Sequence, residues 1–202
     1  MIAIFDVDYR ADGTAIAACV TAGDWADAAP SGEYTAPIAE VAPYEPGQFY
    51  RRELPCLLAV IATLPAPPTV CVVDGYVWLG NENTPGLGAH LFDALGGTIP
   101  VIGVAKTRFA GTAETRFREG AEPVAEVPHG ATETTRPLYI SAVGVPLAQA
   151  AGRVRRMHGA FRLPTLIKRV DSLCRVSGDV PSSGGSLRLA FPAGTGGKDG
   201  TT

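Results

Sequence analysis

The run Thr69-Val70-Cys71-Val72-Val73 constrains this chain more than any other stretch, because it shows no alternation of apolar and polar residues. A strand of that kind must be covered on both faces, and so belongs inside a sheet with helices packed above and below it. Asp74-Gly75 ends the run abruptly. A second buried strand, Ile99 to Val104, ends in Ala105-Lys106. Between them Tyr76 to Gly86 reads as loop, and Gly88 to Leu95 reads as a helix closed by Gly96-Gly97. The middle of the chain is therefore a strand, a helix and a strand.

The N-terminal part is different in kind. Residues 1–9 read as a strand, Ala11-Asp12-Gly13 as a turn, Thr14 to Thr21 as a second strand, and Tyr34 to Val41 as a third. Short connections make this an antiparallel meander. A stiff aromatic segment follows, Pro43 to Pro55, ending in an Arg52-Glu53 pair. Arg51 to Leu64 has helical spacing at Leu54, Leu57, Leu58 and Ile61, with Pro55 tolerable only in the first turn. Beyond Lys106, residues 107–136 are mixed, with a hairpin expected around Phe117 to Val127. Pro137 to Val143 reads as a strand, and Leu147 to His158 and Thr165 to Val176 as helices, Pro164 fitting near the start of the second. A meander followed by βα units predicts an α/β protein of the ribonuclease-H-like fold, with a mixed central sheet. One domain is expected over 1–176. Residues 177–202 are Gly/Ser/Pro-rich and expected to be largely disordered, with Leu187 to Phe191 as a short ordered exception.

Bulk properties exclude several functions. The net charge of −3 leaves no globally basic surface, while a local basic patch remains allowed. Cys19, Cys56, Cys71 and Cys174 lie far apart without a CxxC pair, which argues for buried thiols rather than zinc or disulfides. No histidine neighbours a suitable serine or cysteine, so a hydrolase triad has no support. The glycine-rich pieces lack a Walker lysine. No run is long enough to span a membrane and no signal-peptide pattern opens the chain, so a cytoplasmic monomer is expected.

Four acids stand in informative places. Asp6 lies in the first apolar strand, where a charge is costly unless paired or bound to metal. Asp74 ends a buried strand, where open α/β sheets place ligands. Glu53 closes the aromatic segment, and Asp171 lies in the last helix. In the expected sheet the first and fourth strands are central neighbours, so Asp6 and Asp74 face each other. Their repulsion would be relieved by Mg²⁺ or Mn²⁺, which prefer oxygen ligands and activate water against a phosphodiester. Taken singly, Asp6 reads equally as an arginine partner and Asp74 as a turn residue. Asp8 is taken to point away from Asp6, as a solvated residue or a helper. Lys106 either meets a phosphate or is simply solvated. His90 is expected to pack in the core, and His129 and His158 show no partners.

These residues resemble those of the endonuclease V family. Tyr44-Glu45-Pro46-Gly47 followed by Arg52-Glu53-Leu54-Pro55 is similar to its Tyr-x-Pro-Gly … Arg-Glu-x-Pro segment. Val73-Asp74-Gly75, Gly88-Ala89-His90-Leu91 and Pro100-Val101-Ile102-Gly103-Val104-Ala105-Lys106 resemble three further segments. Phe161-Arg162-Leu163-Pro164 with Arg169-Val170-Asp171 resembles its Tyr-Arg-Leu-Pro … Arg-x-Ala-Asp helix. The resemblance implies a metal-dependent nuclease that cuts DNA or RNA 3′ of a deaminated base, inosine or deoxyinosine. It implies Asp6, Glu53 and Asp74 as metal ligands, Asp171 completing the site, and Lys106 at the phosphate. Tyr44, Glu45, Pro46 and Gly47 become a strand-separating wedge, and Phe49, Gly75, Tyr76 and Trp78 a base pocket.

One stretch departs from the family. Its usual Asp-Gly-His-Gly and following His-Pro-Arg are replaced by Asp74-Gly75-Tyr76-Val77-Trp78-Leu79-Gly80-Asn81-Glu82-Asn83. Gly144-Val145 replaces the usual Gly-His or Gly-Asn. The resemblance thus implies retained metal chemistry, while the histidine and arginine that usually read the base are replaced, with Tyr76 and Trp78 free either to stack on a base or to pack. A non-catalytic or altered-specificity nucleic-acid-binding relative is the competing reading.

Overall fold

The run placed in a sheet interior is β4 (Val70–Asp74), and in the computed structural model it lies at the sheet's centre. The structure describes residues 1–45, 47–80, 84–109, 124–130 and 136–176. β1 (Ile2–Tyr9), β2 (Ala15–Ala22) and β3 (Gly32–Ile38) form the antiparallel meander. β1 then pairs with β4 in parallel, and β4 with β7 (Val101–Ala105) in parallel. β9 (Leu138–Val143) runs antiparallel to β7 and carries β8 (Ala125–Val127) at its edge. The seven-stranded order β3-β2-β1-β4-β7-β9-β8 is the expected mixed sheet of a ribonuclease-H-like fold.

The pleat divides the core into two layers. Ala3, Phe5, Cys71 and Val73 point to the face covered by α1 (Phe49–Ile61) and α2 (Leu87–Ala94). Ile2, Ile4, Val70 and Val72 point to the face covered by α3 (Leu147–Arg155) and α4 (Thr165–Val176). Both faces of β4 are thus closed, which is why its sequence carries no alternation. Among the described residues no helix is long and apolar enough to cross a membrane.

Several elements differ from the sequence expectation. β3 begins two residues earlier and stops at Ile38. α1 begins at Phe49, so Pro55 is its seventh residue and lies beyond the first turn. An interior proline costs about 3 kcal/mol. Burial of Cys56, Leu57, Val60 and Ile61 on the sheet offsets that cost. The stretch after Asp74, expected as loop, holds a small hairpin of β5 (Trp78–Leu79) and β6 (Thr84–Pro85). Of the hairpin expected around 117–127, only β8 falls among the described residues. The tail from residue 177 lies outside them.

Candidate active site

The register Ile4↔Val72 in the parallel β1–β4 pair, carried two residues on, sets Asp6 level with Asp74. Asp74 in turn lies opposite Val104, two residues before Lys106. Lys106 Nζ donates to Asp74 Oδ2 at 2.6 Å. Lys106 is therefore partly exposed but not free: it is the counter-ion of the central carboxylate. Asp6 Oδ1 accepts from Val7 N at 2.9 Å. Burial still pushes Asp6 up to about 6, with repulsion from Asp74 and Asp171 adding to it.

Glu53 approaches from the opposite layer, near enough for the charges of Asp6 and Asp74 to bear on it. It sits on the buried side of α1, only 4% exposed. Its Oε2 is buried and has no hydrogen-bond partner among the described residues. Burial raises it to about 8, with Asp6 and Asp74 contributing repulsion. Its neighbour Arg52 does not neutralise it. The Arg52 guanidinium stacks 3.9 Å over the Tyr9 ring instead.

Asp171 arrives from α4, held by Arg175 at 2.8 Å, and its charge is felt by both Asp6 and Lys106. Asp8 does not point away. A strand returns to the same face every two residues, and the charges of Asp6, Asp8 and Asp171 all bear on Cys174 of α4. The five residues expected to act together come from β1, α1, β4, the end of β7 and α4, and each is electrostatically coupled to others of the set.

Among the described residues no group of three His, Cys, Asp or Glu side chains stands ready to enclose a metal ion. The donor chemistry fits a hard divalent cation nonetheless. Asp6, Glu53 and Asp74 offer only oxygen, and the orphaned Glu53 Oε2 is a buried acceptor without a donor.

Beside the acids opens a cavity of about 260 Å³ with Asp74 in its wall. Of the expected pocket residues Phe49, Gly75 and Tyr76 line it, together with Tyr50, Leu79 and Phe109. Trp78 is not in its lining and lies in β5 instead. The Tyr76 hydroxyl donates to Thr107 O at 2.8 Å and accepts from Phe109 N at 3.1 Å. It fixes the wall rather than facing the cavity as a free polar group. Gly75 adopts φ +123°, a left-handed conformation suited to glycine.

The expected wedge stands at the rim. Tyr44 is 61% exposed and meets Phe49 edge to face, with centroids 6.5 Å apart. Glu45 pairs loosely with Arg51 at 3.8 Å, and Gly47 has φ +79°. Pro46 lies outside the described residues.

Sequence reasoning missed three features. His90 is not a core residue: it is half-buried and stacks on Tyr50 at 3.6 Å. His129 is buried, with its two ring nitrogens 2.7 and 2.8 Å from the carbonyls of Phe161 and Met157, while His158 contacts Thr165. Arg162 donates to the carbonyls of Lys106, Arg136 and Pro137. Apart from His158–Thr165, these contacts join residues distant in sequence; the Gly88-Ala89-His90-Leu91 and Phe161-Arg162-Leu163-Pro164 segments were cues to His90 and Arg162, and His129 had none.

A family model described as Endonuclease V matches residues 1–172. An endonuclease V of Streptomyces coelicolor is 33% identical over 183 residues, spanning 85% of this chain and 76% of its own length. The crystal structure of endonuclease V from Streptomyces avermitilis matches with a TM-score of 0.65 at 33% identity, covering 86% of this chain and 79% of the other. Endonuclease V of Ciona intestinalis, crystallised with a 24mer DNA containing an inosine followed by a ribo-adenosine, shares the fold. Its TM-score is 0.63 at 22% identity, covering 86% of this chain and 83% of its own.

Proposed function

The chain belongs to the endonuclease V family, and from that membership we propose that it is a divalent-metal-dependent endonuclease. It cuts DNA or RNA at a phosphodiester 3′ of a deaminated base, inosine or deoxyinosine. The observation that carries the metal in this reading is the buried, unpartnered Glu53 Oε2 beside Asp6 and Asp74. Asp6 and Glu53 are both raised by burial and by the charge of neighbouring acids, an arrangement that a bound cation would relieve.

Asp6, Glu53 and Asp74 would hold Mg²⁺ or Mn²⁺, with Asp171 completing the site. Bound there, the ion supplies Lewis-acid activation of the phosphodiester and of water. The remaining work falls to the protein. The Tyr44 to Gly47 rim takes the place of the stacked base, as a stiff aromatic loop does when a nucleotide is extruded. The cavity beside Asp74 receives that base against Phe49, Gly75 and Tyr76. Lys106 keeps a positive charge next to Asp74, where charge develops on the phosphate oxygens.

The test is a panel of single- and double-stranded DNA and RNA oligonucleotides carrying inosine, uracil, a mismatch or no lesion, with Mg²⁺ or Mn²⁺. Wild-type protein nicks the inosine substrates, and Asp6→Ala and Asp74→Ala bind without nicking. Cutting by both variants would refute the site assignment. A second reading is favoured by the Lys106–Asp74 pair and by the mainly apolar and aromatic lining of the cavity. It makes the chain a binding or altered-specificity relative, and wild-type binding without nicking of any substrate supports it.

A further inference from the structure

Phe161 is 74% exposed, yet its backbone is tied down on both sides. Its carbonyl lies 2.7 Å from His129 Nδ1, and its own carbonyl carbon would lie 2.8 Å from a Cβ built at Gly130. The next residue, Arg162, anchors to three carbonyls, including that of Lys106. A large aromatic exposed on a fixed backbone is not explained by packing.

Its surroundings suggest what covers it. Lys168 Nζ lies 5.8 Å from the ring centroid. Among the described residues no carboxylate pairs with Lys168. Lys168 stands one turn before Asp171, whose charge reaches Asp6 and Lys106. The ring, the ammonium and the Arg162 anchor therefore border the acid cluster from the α4 side. The cavity and Tyr44 border it from the α1 side.

We propose that Phe161 and Lys168 form a second nucleic-acid contact: Phe161 stacks on an unpaired base flanking the cleaved bond, and Lys168 meets its backbone phosphate. The inference rests on the nuclease reading above. An aromatic face suits any base, and an ammonium beside it suits the phosphate that accompanies one. Because the backbone is fixed beforehand, little ordering is needed on binding. The substrate is then held at two points on opposite sides of the carboxylates, which explains how a chain of net charge −3 grips a polyanion.

Affinity for an inosine-containing single strand, extended on both sides of the lesion, tests this with Phe161→Ala, Phe161→Trp and Lys168→Ala. Phe161→Ala should weaken binding between about 5- and 150-fold, the range for losing one stacked base. Phe161→Trp should restore it. Shortening the strand on one particular side of the lesion should weaken the wild type and erase its advantage over Phe161→Ala. Lys168→Ala should lower the slope of log affinity against log salt by about 0.7. Equal affinity of wild type and Phe161→Ala at every length overturns the proposal. So does concentration-dependent self-association of the wild type that Phe161→Ala abolishes, which would assign the ring to a second copy of the chain. If the wild type neither binds nor cuts any substrate, the nuclease reading fails and this inference with it. Cutting by a wild type that Phe161→Ala matches in affinity removes this inference alone.

Discussion

Replacing Glu53 by Gln should stabilise the metal-free protein, and the gain should grow with pH. Glu53 has an ordinary value of 4.5 and is raised to about 8 in the fold, by burial first and by Asp6 and Asp74 second. Between those values the folded chain keeps a proton that the unfolded chain releases, so stability falls as pH rises. Below about pH 4.5 there is no penalty, and above about pH 8 it is complete. Each decade is worth about 1.4 kcal/mol, so at pH 7 the penalty is about 3 kcal/mol. Glutamine has the same shape and never ionises. It leaves one buried polar group imperfectly bonded, at a cost of about 1 kcal/mol, although its amide can donate to the nearby carboxylates. A net gain of about 2 kcal/mol at pH 7 follows; it vanishes at about pH 5, where the penalty has fallen to the cost of glutamine, about 1 kcal/mol, and below that the variant is the less stable. The assay is urea unfolding of both proteins in chelator, at pH 5, 7 and 8. Saturating Mg²⁺ should reverse the order by stabilising the wild type more than the variant. If Glu53→Gln is less stable than wild type at pH 8 without metal, or the difference does not change with pH, Glu53 is not the strained acid described here.

Lys106→Met removes the ammonium 2.6 Å from Asp74. Turnover should fall by about 10²–10³-fold, while Mn²⁺ affinity, read by electron paramagnetic resonance, should rise because a competing cation is gone. Gly103→Ala would place a Cβ 2.6 Å from Gly75 O and 2.7 Å from Ser141 Oγ, and should cost about 1–3 kcal/mol in thermal unfolding. Arg162→Ala removes the donor from three carbonyls at the end of β7 and the start of β9. It should cost about 2 kcal/mol and slow turnover, with Arg162→Lys recovering only part because an ammonium lacks the planar fork.

Much of this was legible in the residues themselves. The two-sided run Val70–Val73 dictated a central strand, and the short turns before Pro43 dictated the meander. The Pro-x-Pro-Pro stretch at Pro65 to Pro68 marked a stop for the helix that precedes β4. Asp6 and Asp74 stood out by their place in apolar strands, whereas Glu53, Lys106 and Asp171 joined them as a set through the resemblance to the endonuclease V family. Other features depended on tertiary context. Pro55 lies inside a helix because burial of α1 outweighs a local rule. The β5–β6 hairpin has only two residues per strand, too few for alternation to register. The expectation for Asp8 misapplied the period of two, which returns it to the face of Asp6. The carbonyl partners of Arg162 and His129 lie 25 to 56 residues away and leave no local trace.

The parallel pairing of β1 with β4 sets the order in which the protein can come together. Ile2 meets Val70 only after the intervening chain, including the whole meander and α1, has closed into a loop. Such long-range pairing is slow relative to hairpins and helices. The meander can form as soon as its own residues are available, but Asp6 and Asp74 are brought level only by the later closure. Asp171 is added only when α4 docks on β1 and β2. The mutual repulsion of the acids is thus deferred to the final stages of folding. Nuclease competence cannot precede the folding of nearly the whole described chain, and a nascent or truncated chain ending before α4 carries an incomplete acid set.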